Sequence, residues 1–457
     1  MKKKNGTKLK SVAVLTAMLM FVSLSNAPAY ADTTENPVAT PAPAVSPEPA
    51  PVVTPEPTPT PSPEPEKLYN GIAKGKNIIV IQWESLQDLP VNRKLNGAYI
   101  TPNLNSLIKE SIYFKNGISQ IAKGTTSDAE FAFSTSCYPP KFTAAFKSLY
   151  DRKFVSLPYL MNQAGYTTAT FHTNTASFWN RANMYPALGW EKYYDKSFFG
   201  TQNMVRFGAA DNVLYSKALP ELVKMNKSGK PFLVHLITVT SHNPFYIPYW
   251  MQTTHFGSAI DYTFTGKYLR TISSADRQLG EFLKALKKNK LYDDSLIVVY
   301  GDHFGLGEDK LVKYGYDTNI SIIKKILNRN YDKFDLLNVP ILFKLPGGED
   351  AKTVGMPAGQ LDIMPTILNM AGVENTDGKM FGQDLMNTTE NLVGVRFYLP
   401  DGSFADNTDF FYGAKNSITY THKISSVQNL DEKQEAVNSK IAESDKYLSN
   451  LKRIKKQ

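Results

Sequence analysis

The chain has 457 residues, 42% hydrophobic and 20% charged, ordinary globular proportions that exclude wholesale disorder, collagen-like repetition and a polytopic membrane protein. Its formal charge of +9 shrinks once the first 31 residues are set aside, since they hold five lysines and no acid and leave +4 on the remainder. That balance argues against nucleic acid as a partner and permits only loose attraction to anionic lipid or wall polymer, while the single cysteine, Cys137, excludes an intrachain disulfide and a thiolate metal cluster.

At the N-terminus, Lys2 to Lys10 lead into an apolar run, Val12 to Leu24, and then Ala29-Tyr30-Ala31 before Asp32. A basic start, an apolar stretch and a small-x-small site describe a secretory signal peptide over residues 1–31; left uncut, the same run is a short membrane anchor. In both cases the rest of the chain is expected outside the cytoplasm, and the lack of disulfides points to a Gram-positive cell surface. Residues 32–67 follow with twelve prolines between Pro37 and Pro65. Such a segment cannot build a core, and it is expected to be a semi-rigid spacer that extends to about 110 Å.

From residue 68 the pattern alternates between strand and helix. Asn77 to Gln82, Thr167 to Phe171, Phe232 to Thr238 and Ser295 to Tyr300 are short runs rich in β-branched and apolar residues, separated by helical stretches. This predicts an α/β fold with a doubly wound, mostly parallel sheet flanked by helices over residues 68–385. Thr101-Pro102 reads as a hydroxyl cap followed by proline at the start of a helix whose buried stripe is Leu104, Leu107 and Ile108. Residues 386–457 are expected to form a small α+β subdomain: strands near Gly394 to Tyr398 and Asp409 to Tyr412, then a terminal helix, Asp431 to Arg453, with Ala436, Ile441, Ala442, Leu448 and Leu451 on its apolar side.

Chemistry-bearing residues follow each strong strand: Trp83-Glu84-Ser85, His172, Ser241-His242 and Gly301-Asp302-His303. Open parallel sheets bind ligands beyond the carboxyl ends of their strands, so these exits converge on one crevice. Carboxylate oxygen with imidazole nitrogen suits Mn²⁺, Zn²⁺ or Mg²⁺. Of the other histidines, His235 lies mid-strand and reads as a core residue. Gly124-Thr125-Thr126-Ser127-Asp128-Ala129-Glu130 reads as a loop entering a helix, where N–H groups and the positive helix end favour an anion and where a threonine alkoxide could attack phosphorus.

These motifs, with Phe178-Trp179-Asn180-Arg181, Thr240-Ser241-His242-Asn243-Pro244-Phe245, Tyr300 to Gly305, Gly359 to Thr366 and Phe381-Gly382-Gln383-Asp384, resemble the extracellular domain of lipoteichoic acid synthase, in the sulfatase and alkaline phosphatase superfamily. The resemblance implies that Glu84, Thr126, Asp302 and His303 hold one Mn²⁺ or Mg²⁺ ion, with Thr126 also the nucleophile. It implies that His172, Trp179, Arg181 and His242 surround a glycerol phosphate group. The implied reaction is transfer of phosphoglycerol from phosphatidylglycerol, releasing diacylglycerol, to a growing glycerol phosphate polymer, by a monomer working at a membrane surface or cell wall. His242 either protonates the leaving group or stabilises phosphate.

Departures from the family leave the acceptor open. Asn174 stands where Asp is frequent, Thr125 where Lys is, and Phe304 where Tyr is usual, and a signal and spacer replace the several membrane-spanning helices of familiar synthases. Two alternatives follow. One is a hydrolase of the same superfamily, either a phosphodiesterase or a sulfatase; the latter would mature Cys137, in Cys137-Tyr138-Pro139-Pro140-Lys141, to an aldehyde. The other is a non-catalytic wall- or lipid-binding relative.

Overall fold

Continuous apolar runs become the interior of a sheet covered on both faces. The computed structural model describes residues 67–348, 350–412, 419–420 and 429–454. The expected signal peptide, all of the spacer but Lys67, and His422 lie outside the described residues. In chain order the elements that build the site are β1 (Asn77–Trp83), α1 (Pro102–Ile108), β2 (Ile112–Phe114), α2 (Thr126–Thr135), β3 (Thr167–His172), α3 (Arg181–Leu188), β4 (Lys192–Tyr194), α4 (Asp211–Lys227), β5 (Phe232–Ile237) and α5 (Phe264–Lys288). Then come β6 (Ser295–Gly301), β7 (Ile341–Lys344), β8 (Lys352–Val354) and α6 (Ile363–Ala371).

Strands β1 to β8 form one eight-stranded sheet in the order β8-β2-β7-β6-β1-β5-β3-β4. Only β7 runs against the others, so the sheet is mostly parallel as expected. β1 is central, paired with β5 through Ile78 opposite Leu233 and with β6 through Ile78 opposite Leu296. Its side chains alternate between two cores. Ile79, Ile81 and Trp83 pack with Leu104 of α1, Leu214 of α4 and Leu269 and Ile272 of α5, whereas Ile78 and Val80 pack with Phe131 and Phe133 of α2, Met184 of α3 and Ile363 and Ile367 of α6. Alternation along a strand thus places helices on both faces.

Two local expectations need correction. Proline does open α1, but Thr101 does not cap it: its hydroxyl donates to Pro90 O at 3.2 Å, and the first N–H groups of the helix, from Asn103 and Leu104, go to the carboxylate of Asp276 on α5 at 3.0 and 2.7 Å. A buried carboxylate satisfies two orphan donors at once, which a threonine cannot.

The C-terminal part forms a second, four-stranded sheet of β9 (Val393–Val395), β10 (Ser403–Ala405), β11 (Phe410–Tyr412) and β12 (Thr419–Tyr420), followed by α7 (Leu430–Asn450). The buried face of α7 matches the predicted stripe only in part: Leu448 is buried and Ile441 and Leu451 pack against the core, but Ala436 and Ala442 are exposed and Gln434, Val437 and Ser444 are buried in addition. Polar residues occupy the inner face because they have partners there, Ser444 Oγ accepting Tyr138 N–H at 3.0 Å. Arg396 adds a fork to Asp445 at 2.8 and 3.0 Å. From Glu64 onward the chain is one compact unit, so this small sheet and helix are built onto the main body.

Candidate active site

Each exit from the central strands delivers its side chain to one place. Glu84 follows β1, and the backbone there is held by Glu84 N–H donating to Thr238 Oγ1 at 2.9 Å. Asp302 and His303 follow β6 after Gly301, where a Cβ would lie 2.0 Å from Leu86 O; glycine is required for that approach. Asp302 Oδ1 accepts the N–H groups of Ser85 and His303, both at 2.7 Å, locking the β1 and β6 exits together. Its Oδ2 is buried without a hydrogen-bond partner.

His303 Nδ1 lies 3.0 Å from Phe304 O, which places the proton on Nδ1 and leaves the Nε2 lone pair free. That Nε2 is 3.5 Å from Glu84 Oε1 and 3.5 Å from Asp302 Oδ2. Thr126 Oγ1, at the first residue of α2, is 3.4 Å from Glu84 Oε2 and 3.4 Å from His303 Nε2. Glu84, Asp302 and His303 offer ligand atoms within 4.8 Å of one another. Two carboxylates and an imidazole lone pair facing one point repel each other unless a proton or a cation lies between them. Burial, then the charge of Glu84, pushes Asp302 up to about 8, and His303 is raised by Asp302 and Glu84 against the opposing effect of burial. The donor set and the orphaned Oδ2 fit a hard divalent ion.

Thr126 is presented by a strained entry. Thr125 has φ 42° and ψ −113°, an unusual conformation for a β-branched residue. Asp128 holds the loop, Oδ2 accepting Ala122 and Gly124 N–H at 3.1 and 2.7 Å and Oδ1 accepting Ala145 N–H at 3.0 Å. The free donors expected at this helix end are fewer than the sequence suggested: Ser127 and Asp128 N–H groups turn inward to Gly124 O and Thr125 O at 2.9 and 3.0 Å. What remains is the helix dipole aimed at Thr126.

Across a crevice of about 470 Å³ stand His172, Trp179, Arg181 and His242. His172 lies 3.0 Å through Nδ1 from Ile237 O, and burial followed by the charge of Arg181 holds it well below its ordinary value, so it is neutral. His242 Nδ1 is 2.5 Å from Asn243 O, and its ring meets Phe207 edge-on at 5.1 Å. Lys147 sits 5.0 Å over the Trp179 ring. Asn174, Thr125 and Phe304 line the same crevice, and Tyr398, from the turn after β9, packs edge-on to Phe304 at 5.0 Å.

Arg181 is not free to grip a ligand with its whole fork. Its Nε donates to both oxygens of Glu130 at 3.1 and 3.2 Å and its Nη2 to Oε1 at 2.5 Å, while Tyr185 O–H donates to Oε2 at 2.5 Å. Burial opposes the charge, but Glu130 outweighs it and holds the guanidinium above its ordinary value. Its Nη1 also donates, to Phe178 O at 3.4 Å, so the crevice is offered only what that long bond leaves of the Nη1 end. Glu130 was quoted in the Gly124 to Glu130 motif without a role; the missed signal was an acid amid Ala129, Phe131, Ala132 and Phe133, a buried face where a carboxylate needs a partner. His235 is a core residue as expected, packed between Phe133 at 4.8 Å and Trp190 at 6.0 Å, and burial brings it down to about 3.

Residues 76–373 match the sequence pattern of the Sulfatase family. The chain belongs to the sulfatase family of enzymes. It is 36% identical over 337 residues to the lipoteichoic acid synthase of Staphylococcus aureus, covering 71% of this chain and 50% of that protein; the chain thus spans about half the length of the curated relatives it matches. Its fold superposes on the crystal structure of the lipoteichoic acid synthase LtaP from Listeria monocytogenes with a TM-score of 0.77 and 35% identity, over 85% of this chain and 96% of that one. An alkaline phosphatase superfamily protein from Vibrio parahaemolyticus shares the fold at TM-score 0.66 and 20% identity, over 83% of this chain and 90% of that one. The resemblance read from the motifs therefore holds at the level of family and fold. A sulfatase-type cysteine has no place in this site: Cys137 is buried, donates to Thr135 O at 3.4 Å, and lies beyond the far end of α2, about 15 Å from Thr126 at a helical rise of about 1.5 Å per residue. Among the described residues no helix is long and apolar enough to cross a membrane.

Proposed function

We propose that the chain is an extracellular phosphoglycerol transferase that takes its group from phosphatidylglycerol through Thr126. The observation that carries this reading is the Thr126 hydroxyl, 3.4 Å from both Glu84 and His303, at the N-terminus of α2 and facing the crevice. Glu84, Thr126, Asp302 and His303 would hold one Mn²⁺ or Mg²⁺ ion. Bound there, the ion supplies Lewis-acid charge to phosphoryl oxygen and makes a neighbouring hydroxyl more acidic.

The chain's own residues do the rest. Thr126 Oγ1 attacks phosphorus, and Glu84 Oε2 is the near base for its proton. The Nη1 end of Arg181 donates to a phosphoryl oxygen, neutral His172, its Nδ1 proton held by Ile237 O, accepts through Nε2 from a glycerol hydroxyl, and Trp179 packs on the glycerol. His242 protonates the departing diacylglycerol oxygen, or steadies the phosphate. The threonyl phosphoglycerol then passes to the terminal hydroxyl of a glycerol phosphate polymer. Asn174 and Thr125 leave the crevice without the charged pair usual in the family, so the same chemistry with water as acceptor is the second reading.

The test is incubation with Mn²⁺ and labelled phosphatidylglycerol, with and without a polymer acceptor. Diacylglycerol release that Thr126→Ala lowers at least about 10³-fold is expected for a nucleophile. Product on the acceptor means transfer, and free glycerol phosphate means hydrolysis. Equal silence of wild type and variant on lipid and on small phosphodiesters would make the chain a binding relative.

A further inference from the structure

The loop that leaves β5 serves two cavities. His242 and Asn243 line the crevice, and Pro244 to Ile247 wall a second pocket of about 440 Å³. On its other side α5 contributes Lys267 and, one turn on, Arg270. Arg270 is 9% exposed. Its Nη2 donates to Gln252, its Nε has no hydrogen-bond partner, and among the described residues no carboxylate forms an ion pair with it. Asp261 also borders the pocket, but its Oδ2 faces His255 at 3.1 Å and its Oδ1 accepts Phe256 N–H at 2.8 Å. A guanidinium about nine-tenths buried without a counter-ion is costly, so the part of it that meets the pocket is placed for an anion that comes from outside.

The surroundings say which anion. Tyr246 and Tyr262, both lining the pocket, are 71% and 76% exposed, and Tyr249 and Trp250, on the short helical turn Tyr249–Met251, are 83% and 55% exposed. The turn is anchored by Met251, which is buried against Ile247. Large aromatics with polar tips, standing in water around a cationic pocket, match the layer where lipid headgroups meet acyl chains. A soluble polyol phosphate would fill the pocket and leave that rim unused.

We propose that this pocket binds the phosphate of an anionic phospholipid headgroup through Arg270 and Lys267, with the aromatic rim seated in the interface, and so docks the molecule on a bilayer beside the crevice. The inference rests on the lipid substrate proposed above, but binding requires no turnover.

The experiment uses the full chain and vesicles of phosphatidylglycerol or of phosphatidylcholine, with sedimentation and Trp250 emission as readouts; the basic, apolar N-terminus itself favours phosphatidylglycerol but is common to every variant, so the deciding comparison is variant against wild type on the same vesicles. Expected are stronger binding to phosphatidylglycerol than to phosphatidylcholine and a blue shift that Trp250→Phe removes. Arg270→Gln should weaken binding to phosphatidylglycerol about tenfold, about 1.4 kcal/mol. Tyr246→Ser with Tyr262→Ser, both on the surface and harmless to folding, should weaken it too. Arg270→Gln should turn over dissolved short-chain phosphatidylglycerol normally and lose rate only on vesicles. Variants that bind vesicles like wild type overturn the proposal, as does a glycerol phosphate polymer that binds wild type but not Arg270→Gln while vesicles bind both alike. A silent enzyme that still prefers phosphatidylglycerol vesicles sinks the catalytic reading alone.

Discussion

Replacing Glu130 by glutamine probes the part of the site that no ligand touches. Glu130 and Arg181 are each 1% exposed in their side chains, and the carboxylate takes three guanidinium contacts at 2.5 to 3.2 Å plus the Tyr185 hydroxyl. Removing one partner from a buried ion pair costs about 3–5 kcal/mol, since the other charge is left uncompensated. Glutamine keeps the volume and one acceptor but sets an NH₂ against the guanidinium, so about 3 kcal/mol is expected, read from urea unfolding of both proteins. The same change lets Arg181 drift, and misplacement of about 1 Å lowers turnover on the order of 10²-fold; kcat/KM on phosphatidylglycerol should fall by that amount, with Glu130→Asp recovering part of it. A Glu130→Gln protein with wild-type stability and wild-type kcat/KM would refute the assignment of Glu130 as the residue that aims Arg181.

Two further expectations follow from particular groups. Mn²⁺ at about 100 times its dissociation constant should stabilise the wild type by about 2.7 kcal/mol, a rise in melting temperature that EDTA reverses and Asp302→Asn abolishes; an equal rise in the variant would place the ion elsewhere. Burial raises Asp276 to about 6, although the N–H groups of Asn103 and Leu104 oppose it. Between about pH 3.8 and about 6 the unfolded chain therefore gives up this proton before the folded one, so wild-type stability should fall by about 3 kcal/mol relative to Asp276→Asn across that window and run parallel above it. A constant difference between the two proteins from pH 3.5 to 7 counts against the shift.

What the sequence exposed and what it hid divide along physical lines. β1, β3, β5 and β6 were legible within a residue or so, because strands buried on both faces read as short runs rich in apolar and β-branched residues. β2, β4 and β8, three residues each, carry too short a pattern to read. Glu84, Asp302 and His303, proposed as ligands, stood out because they sit directly after strong strands. Glu130 did not, since its partner Arg181 is 51 residues away and nothing local requires the pair. Nor did Asp276, whose service to α1 spans 172 residues to Leu104. Helix α7 was legible from its apolar stripe, of which Ile441, Leu448 and Leu451 do pack inward, but Gln434 and Ser444 join that face by virtue of hydrogen bonds that periodicity cannot see.

The donors proposed for an ion come from three stretches, with 42 residues between Glu84 and Thr126 and 177 between Thr126 and His303. No peptide fragment of this chain can assemble them, because β1 and β6 must first lie side by side in register. A cation held there would thus be no template for collapse but a latch thrown after the architecture is complete.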